Sequence, residues 1–136
     1  MNEKITMNHL IVAGIPAYNE EKTIAKVILL TKKFVNKVII VDDGSNDMTK
    51  EIAEALDAEV LVHKENLGYG ASLRSIFHKA REIDADILVT LDADGQHDPR
   101  MIPRIIKPIL NGEADIVIGS RFLGDTDMPK YRKFGA

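Results

Sequence analysis

Cysteine is absent from the 136 residues, which excludes disulfides and thiolate metal sites and leaves any metal to oxygen ligands of the hard class. The same absence fits a cytoplasmic location. Long apolar runs are also missing: the longest nearly apolar stretch, Leu10 to Ala17, is about half a membrane span and is interrupted by Gly14 and Pro16. The opening MNEKITMNHL lacks the apolar region of a signal peptide. Charge of one sign is scarce too, with 18 basic against 21 acidic side chains and a formal net charge of −3. No broad cationic field results, which argues against nucleic acid as a partner but not against a small anion, which a few placed groups can hold. His63, His78 and His97 form no metal-spaced set, and the residue order supports no Ser-His-Asp or Cys-His nucleophile. Without repeats or low-complexity tracts, and with 45% hydrophobic residues, residues 1–136 are expected to form a single domain around one core.

Hydrophobic periodicity predicts an alternation of strands and helices. HLIVAGI (His9 to Ile15) reads as a buried strand stopped by Pro16, with PAYN as a loop and Asn19 capping a helix whose apolar face is Ile24, Val27, Ile28, Thr31 and Phe34. KVIIV is a second strand, DDGSND its break, and Ile52, Ala53 and Leu56 mark a helix that Ser45 or Asn46 caps. EVLVH, the turn ENLGYG and a stripe of Leu73, Ile76, Phe77 and Ala80 follow. DILVTL is a fourth strand, and Ile102, Ile105, Ile106 and Ile109 form a helix that Pro108 should kink or end. DIVIGS is the fifth strand. Units of roughly 30 residues are the rhythm of βαβ crossovers, so the expectation is a three-layer α/β/α fold with a mostly parallel sheet. Ligands of such sheets sit beyond the C-terminal strand ends, which selects PAYNE, DDGSND, ENLGYG, DADGQH and GSRF as five loops on one rim.

Each loop admits two readings. Asp92 and Asp94, at alternate positions past a strand, can both reach a divalent hard cation that also bridges phosphate oxygens, with Gln96 or His97 adding a ligand. Alternatively the stretch is a turn, since Asp94-Gly95 is a turn pair and Asp98-Pro99 a helix start. An EF-hand is excluded, because glycine falls at the fourth loop position and Pro103 at the twelfth. Asp42-Asp43-Gly44-Ser45 is either a capped turn or a rim carboxylate accepting from a base or ribose. GYGASL is not a dinucleotide fingerprint, because Leu73 stands at the third glycine's place; Gly68 and Gly70 instead suit a tight turn before a helix. Arg121 is a surface cation or a phosphate contact, for which a guanidinium is well shaped. Arg74 belongs to a helix's first turns, and Lys64 and Arg100 read as solvated.

Taken together, IPAYNEE, VDDGSND.T, N.GYGAS, LDADGQHDP and IGSRF resemble the family 2 glycosyltransferases of the GT-A fold, most closely the dolichyl-phosphate mannose or glucose synthase-like branch, over about Leu10 to Leu123. The resemblance implies that Pro16, Ala17, Tyr18, Glu20 and Asp43 hold the nucleotide. It implies that Asp92, Asp94 and Gln96 hold Mg²⁺ or Mn²⁺ and the diphosphate, and that Arg121 contacts an acceptor phosphate, with Asp94 and Arg121 as the catalytic pair. The implied reaction is inverting transfer of a hexose from a UDP- or GDP-sugar to a polyprenyl phosphate or a glycan hydroxyl. A nucleotidyltransferase is the alternative, although such enzymes open on a glycine-rich, arginine-containing loop unlike IPAYNEE, and a non-catalytic nucleotide-binding module is the other. Because the family's catalytic domains continue past this length, the chain is expected to be the donor-binding portion of a longer enzyme. That parent is placed at the cytosolic face of a membrane, and the portion itself is expected to be inactive and prone to form homo-oligomers through an uncovered sheet face.

Overall fold

The computed structural model describes residues 9–118 and 130–132. The chain divides into two compact units, Met1–Arg100 and Met101–Ala136.

In the first unit β1 (Ile11–Ala17), β2 (Lys37–Asp42), β3 (Glu59–Val62) and β4 (Ile87–Thr90) form one parallel sheet in the order β3-β2-β1-β4. Between them run α1 (Ile24–Thr31), α2 (Thr49–Ala55) and α3 (Tyr69–Glu82). The central strands are apolar without alternation because both of their faces are covered: Ile11, Val12, Ala13 and Ile15 of β1 and Ile39, Ile40 and Val41 of β2 are fully buried. On one face Ile76 of α3 packs over Gly14, at a distance that leaves no room for a Cβ. β3 is an edge strand and is only half-buried.

The structure revises several local expectations. β1 does not stop before Pro16 but runs through it to Ala17, with Pro16 paired in register to Val41. Odd-numbered residues of β1 bond toward β2, as Ala17 does in accepting from the Asp43 N–H, whereas Gly14 accepts from Leu91 on the β4 side. The donor that Pro16 lacks would therefore point toward β4, which has already ended at Thr90. Neither expected side-chain cap of the first two helices forms: α1 begins at Ile24 after Thr23 and α2 at Thr49 after Met48, each without a side-chain cap hydrogen bond. Phe34 falls beyond the end of α1. On α3, Ser72, Ile76 and Ala80 are buried, whereas Phe77 is 55% exposed and lies off the core stripe. Only Gly68 is needed for a turn, at φ 99°, and Gly70 is already helical.

The first unit ends within a 3-10 turn over Pro99–Met101, and the second unit contains α4 (Ile102–Leu110), with Ile102 and Ile106 buried. Pro103 lies in its first turn, and Pro108 does not end the helix, which runs two residues further. The Pro108 carbonyl then accepts from the Glu113 and Ala114 N–H groups at 2.8 and 3.1 Å and closes the C-terminus. The expected fifth parallel strand is instead β5 (Ile116–Ile118), paired antiparallel with β6 (Lys130–Arg132) in a separate two-stranded sheet. An antiparallel partner following in sequence needs no crossover helix, which is why the βαβ rhythm does not anticipate it.

Candidate functional site

Four loops meet at the C-terminal ends of β1 to β4. The loop after β1 and the loop after β2 are joined by reciprocal bonds. Asn19, held in a left-handed conformation at φ 53°, donates its N–H to Ser45 Oγ at 2.8 Å and accepts the Asn46 N–H on its own Oδ1 at 2.8 Å. Such a conformation is one that asparagine tolerates better than most residues. The Glu20 N–H donates to Thr49 Oγ1 at 2.9 Å and the Glu21 N–H to Asp47 Oδ2 at 3.1 Å, while Glu21 Oε1 accepts from the Met48 N–H at 3.0 Å. The Asn19 and Ser45 side chains, expected as caps, thus serve across loops instead of within their own helices, and Asn46 contributes its backbone N–H.

Asp42 and Asp43 are both buried at the end of β2. Asp42 Oδ1 accepts from the Ser45 N–H at 3.1 Å and shapes the turn. The Asp43 carboxylate reaches the next loop: Oδ1 accepts from the Leu67 N–H at 2.9 Å and from His63 Nδ1 at 2.7 Å, and Oδ2 from the Gly68 N–H at 2.9 Å. Burial pushes this carboxyl up, but the hydrogen bonds from His63, Leu67 and Gly68 outweigh it and hold Asp43 below the usual aspartate range. Gly44 makes the approach feasible: at φ +79°, its hydrogen faces the Glu65–Asn66 backbone, where a Cβ would lie 2.7 Å from the Asn66 nitrogen.

The β4 loop carries the alternate aspartates. Between them Ala93 is buried and its carbonyl accepts from Thr23 Oγ1 at 2.6 Å, which ties this loop to the one after β1. The Asp92 N–H donates to His97 Nδ1 at 3.1 Å, and the Gln96 N–H to Asp94 Oδ1 at 2.9 Å. Asp92 is half-buried and Asp94 exposed. The Tyr69 hydroxyl has its pKa raised, first by partial burial and then by the Asp92 charge, although the residue is 60% exposed; the β3 and β4 loops therefore lie within electrostatic reach of each other. Asp98 behaves as the turn reading expects, accepting the Arg100 N–H at 3.0 Å and pairing with its guanidinium, so Arg100 is exposed but ion-paired.

The described residues contain no cluster of three or more histidine, aspartate or glutamate side chains that could hold a metal ion. Two hard carboxylates at alternate positions of one loop nonetheless suit a divalent cation whose remaining ligands are diphosphate oxygens and water, the mode in which such ions bind nucleotides.

Pro16, Ala17, Tyr18, Glu20, Asp43, Asp92, Asp94 and Gln96 thus all lie at one end of the sheet in the first unit, with Pro16 and Ala17 in strand and not in loop. Arg121 lies outside the described residues, so GSRF is not placed on this rim. A cleft of about 230 Å³ opens on the β2–β3 side, lined among others by Ser45, Asp47, Lys50, His63 and Lys64. A smaller one of about 120 Å³, beside Lys32, Val35 and Asn36, lies at the opposite end of the sheet and holds none of this chemistry. Sequence reasoning missed Thr23 and His63. His63 fits no metal-spaced set; its place directly after β3, level with the other rim loops, is the available signal.

Residues 13–135 match the family model described as glycosyl transferase family 2. The chain belongs to this family. A UDP-N-acetylglucosamine–dolichyl-phosphate N-acetylglucosaminyltransferase of Methanococcus voltae is 39% identical over 147 residues, covering 93% of the chain and 59% of the relative. A dolichol-phosphate mannosyltransferase of Pyrococcus furiosus is 34% identical over 128 residues, covering 88% of the chain and 36% of that protein. Among solved structures, glucosyl-3-phosphoglycerate synthase of Mycobacterium tuberculosis in complex with Mn²⁺, UDP-glucose and phosphoglyceric acid superposes with a TM-score of 0.72 at 28% identity, over 90% of the chain and 47% of that enzyme. The family 2 chain therefore spans between 36% and 59% of the length of these three proteins. Its parallel sheet and flanking helices are those of the GT-A glycosyltransferases, as the motifs lead one to expect. Among the described residues no helix is long and apolar enough to cross a membrane.

Proposed function

We propose that this chain is the donor-binding part of an inverting, metal-dependent family 2 glycosyltransferase that moves a hexose from a UDP- or GDP-sugar to a polyprenyl phosphate or a glycan hydroxyl. The observation that carries the reading is the meeting of the Asp43 and Asp92–Asp94 loops at one end of the sheet, in a chain of this family. Dolichyl-phosphate transferases among its relatives and a nucleotide-sugar complex with Mn²⁺ among its structural neighbours support the donor and the acceptor class.

In this reading Tyr18, Glu20 and Asp43 meet the nucleoside, with Pro16 and Ala17 forming the floor beneath it. Asp92, Asp94 and Gln96 would hold Mg²⁺ or Mn²⁺ against the diphosphate. A divalent ion bound there supplies neutralisation of the charge that develops on the leaving nucleoside diphosphate. The carboxylates would keep the ion within the loop, and Thr23, bonded to the Ala93 carbonyl, holds the loop in place. Attack comes from the sugar face opposite the leaving group. A phosphate acceptor is already ionised and needs no general base, whereas a sugar hydroxyl needs one. Arg121 is assigned to the acceptor phosphate.

Calorimetric titration with UDP-glucose, UDP-N-acetylglucosamine and GDP-mannose, with Mn²⁺ and with EDTA, tests the reading. Metal-dependent binding of one intact sugar nucleotide is expected. Preference for nucleoside triphosphates over all of them, or no binding, would overturn it.

A further inference from the structure

His63 is the centre of a partly buried hydrogen-bond chain that links two elements to the candidate donor site. Its side chain is 12% exposed; Nδ1 lies 2.7 Å from Asp43 Oδ1 and Nε2 lies 2.9 Å from Ser75 Oγ on α3. The roles follow from chemistry. An ionised carboxylate only accepts, so Nδ1 donates to Asp43, and Nε2 shares a hydrogen bond with the Ser75 hydroxyl, which can serve as donor or acceptor. Aspartate, histidine and serine in a row have the composition of a nucleophilic triad, but Ser75 sits in the middle of α3, where neighbouring N–H groups are committed to the helix ladder and cannot form an oxyanion hole.

What the chain does instead is fix a carboxylate. With Oδ1 accepting from His63 and Leu67 and Oδ2 from Gly68, the Asp43 carboxylate is held in one orientation at the C-terminal end of β2. We infer that His63, oriented by Ser75, is a positioning residue for nucleoside recognition, holding Asp43 in the one orientation from which it can accept from a base or ribose. This rests on the donor-site reading of Asp43. A preorganised acceptor loses no side-chain entropy when the ligand arrives, whereas a free one must be ordered at that moment.

The test uses the full chain and four probes, uridine, UDP, guanosine and GDP, in calorimetric titrations with and without Mn²⁺. His63→Leu removes the donor; His63→Asn restores an N–H donor near the Nδ1 position without reaching Ser75. His63→Leu is expected to weaken the preferred nucleoside about tenfold and its diphosphate by the same factor, with the Mn²⁺-dependent gain unchanged. His63→Asn should recover most of that loss, and His63→Leu in an Asp43→Asn background should add little. Ser75→Ala, a gentler change, should weaken both ligands by about threefold and keeps the question answerable if His63→Leu does not fold. Parent-like nucleoside binding in His63→Leu or in Ser75→Ala, or equal losses in His63→Asn and His63→Leu, overturns the inference. Asp43→Asn separates the two levels: if it leaves nucleoside binding intact, the donor-site reading of Asp43 fails, whereas a loss there with silent His63 variants sinks the positioning role alone.

Discussion

Ile76 on α3 occupies the space directly over Gly14 on β1, so close that a Cβ at Gly14 would lie 2.3 Å from Ile76 Cγ2. Both residues are in the centre of the first unit, where neither strand nor helix can shift without disturbing the sheet. Gly14→Ala should therefore destabilise by about 1–3 kcal/mol, the usual range for overpacking a filled core. Ile76→Val should not relieve it, because valine keeps both γ carbons, whereas Ile76→Ala should make the double variant less unstable than the sum of its parts. Urea denaturation of the parent, the three single variants and the two double variants checks this, and strict additivity of Gly14→Ala with Ile76→Ala would disprove the contact.

Gly44→Ala combines a left-handed backbone with a clash against backbone atoms of Glu65 and Asn66, which have no rotamer to yield. It should cost about 1–3 kcal/mol. Because the displaced segment leads into the Leu67 and Gly68 donors of Asp43, nucleotide affinity should fall as well, by a larger factor than for Ser45→Ala. Denaturation midpoints and UDP or GDP titrations of the two variants measure both effects.

Asp94→Asn distinguishes a cation ligand from a turn residue. If Asp94 ligates the ion, the substitution should abolish the Mn²⁺-dependent gain in affinity for the donor nucleotide and leave metal-free nucleoside binding nearly unchanged, since an amide keeps the shape but not the charge. As a mere turn residue it would be silent, because an asparagine oxygen can still accept the Gln96 N–H. Equal metal dependence in variant and parent, by calorimetry with Mn²⁺ and with EDTA, refutes the metal role.

Acid should unfold the first unit partly through Asp43. Its folded-state pKa is depressed, so the stabilisation is complete above the ordinary aspartate range, about pH 4, and is lost as pH falls through the lower folded value. Glu59, lowered by the Lys37 and Lys79 ammonium groups, acts with the same sign. Urea midpoints measured from pH 7 down to pH 3 should fall less steeply in Asp43→Asn than in the parent. Parallel curves would remove Asp43 from the acid transition.

The runs VAGI and VIIV are legible as central strands because a strand covered on both faces has no polar side to interrupt it. The rim positions of Asp43, Asp92 and Asp94 are legible for a related reason, since a polar cluster directly after such a run can only sit at a strand end. Pro16 misleads because the sequence does not reveal which neighbour its missing donor would face, and that depends on where β4 stops. Asn19, Ser45 and Asn46 carry the residue types of caps, yet those types serve equally well across loops, and the choice is made by tertiary approach. The antiparallel β5–β6 pair and the role of His63 depend on partners far along the chain, to which a local pattern is blind.

The mutual bonding of the loops after β1 and β2 bears on how donor preference could be re-engineered. Asn19, Glu21, Ser45, Asp47 and Thr49 each satisfy a backbone group of the opposite loop, so each loop is the template on which the other keeps its shape. Exchanging one of them for the corresponding segment of a homologue would strand its partner's amides. The two segments form a single transplantable unit, and a chimera with altered nucleotide preference would have to carry both.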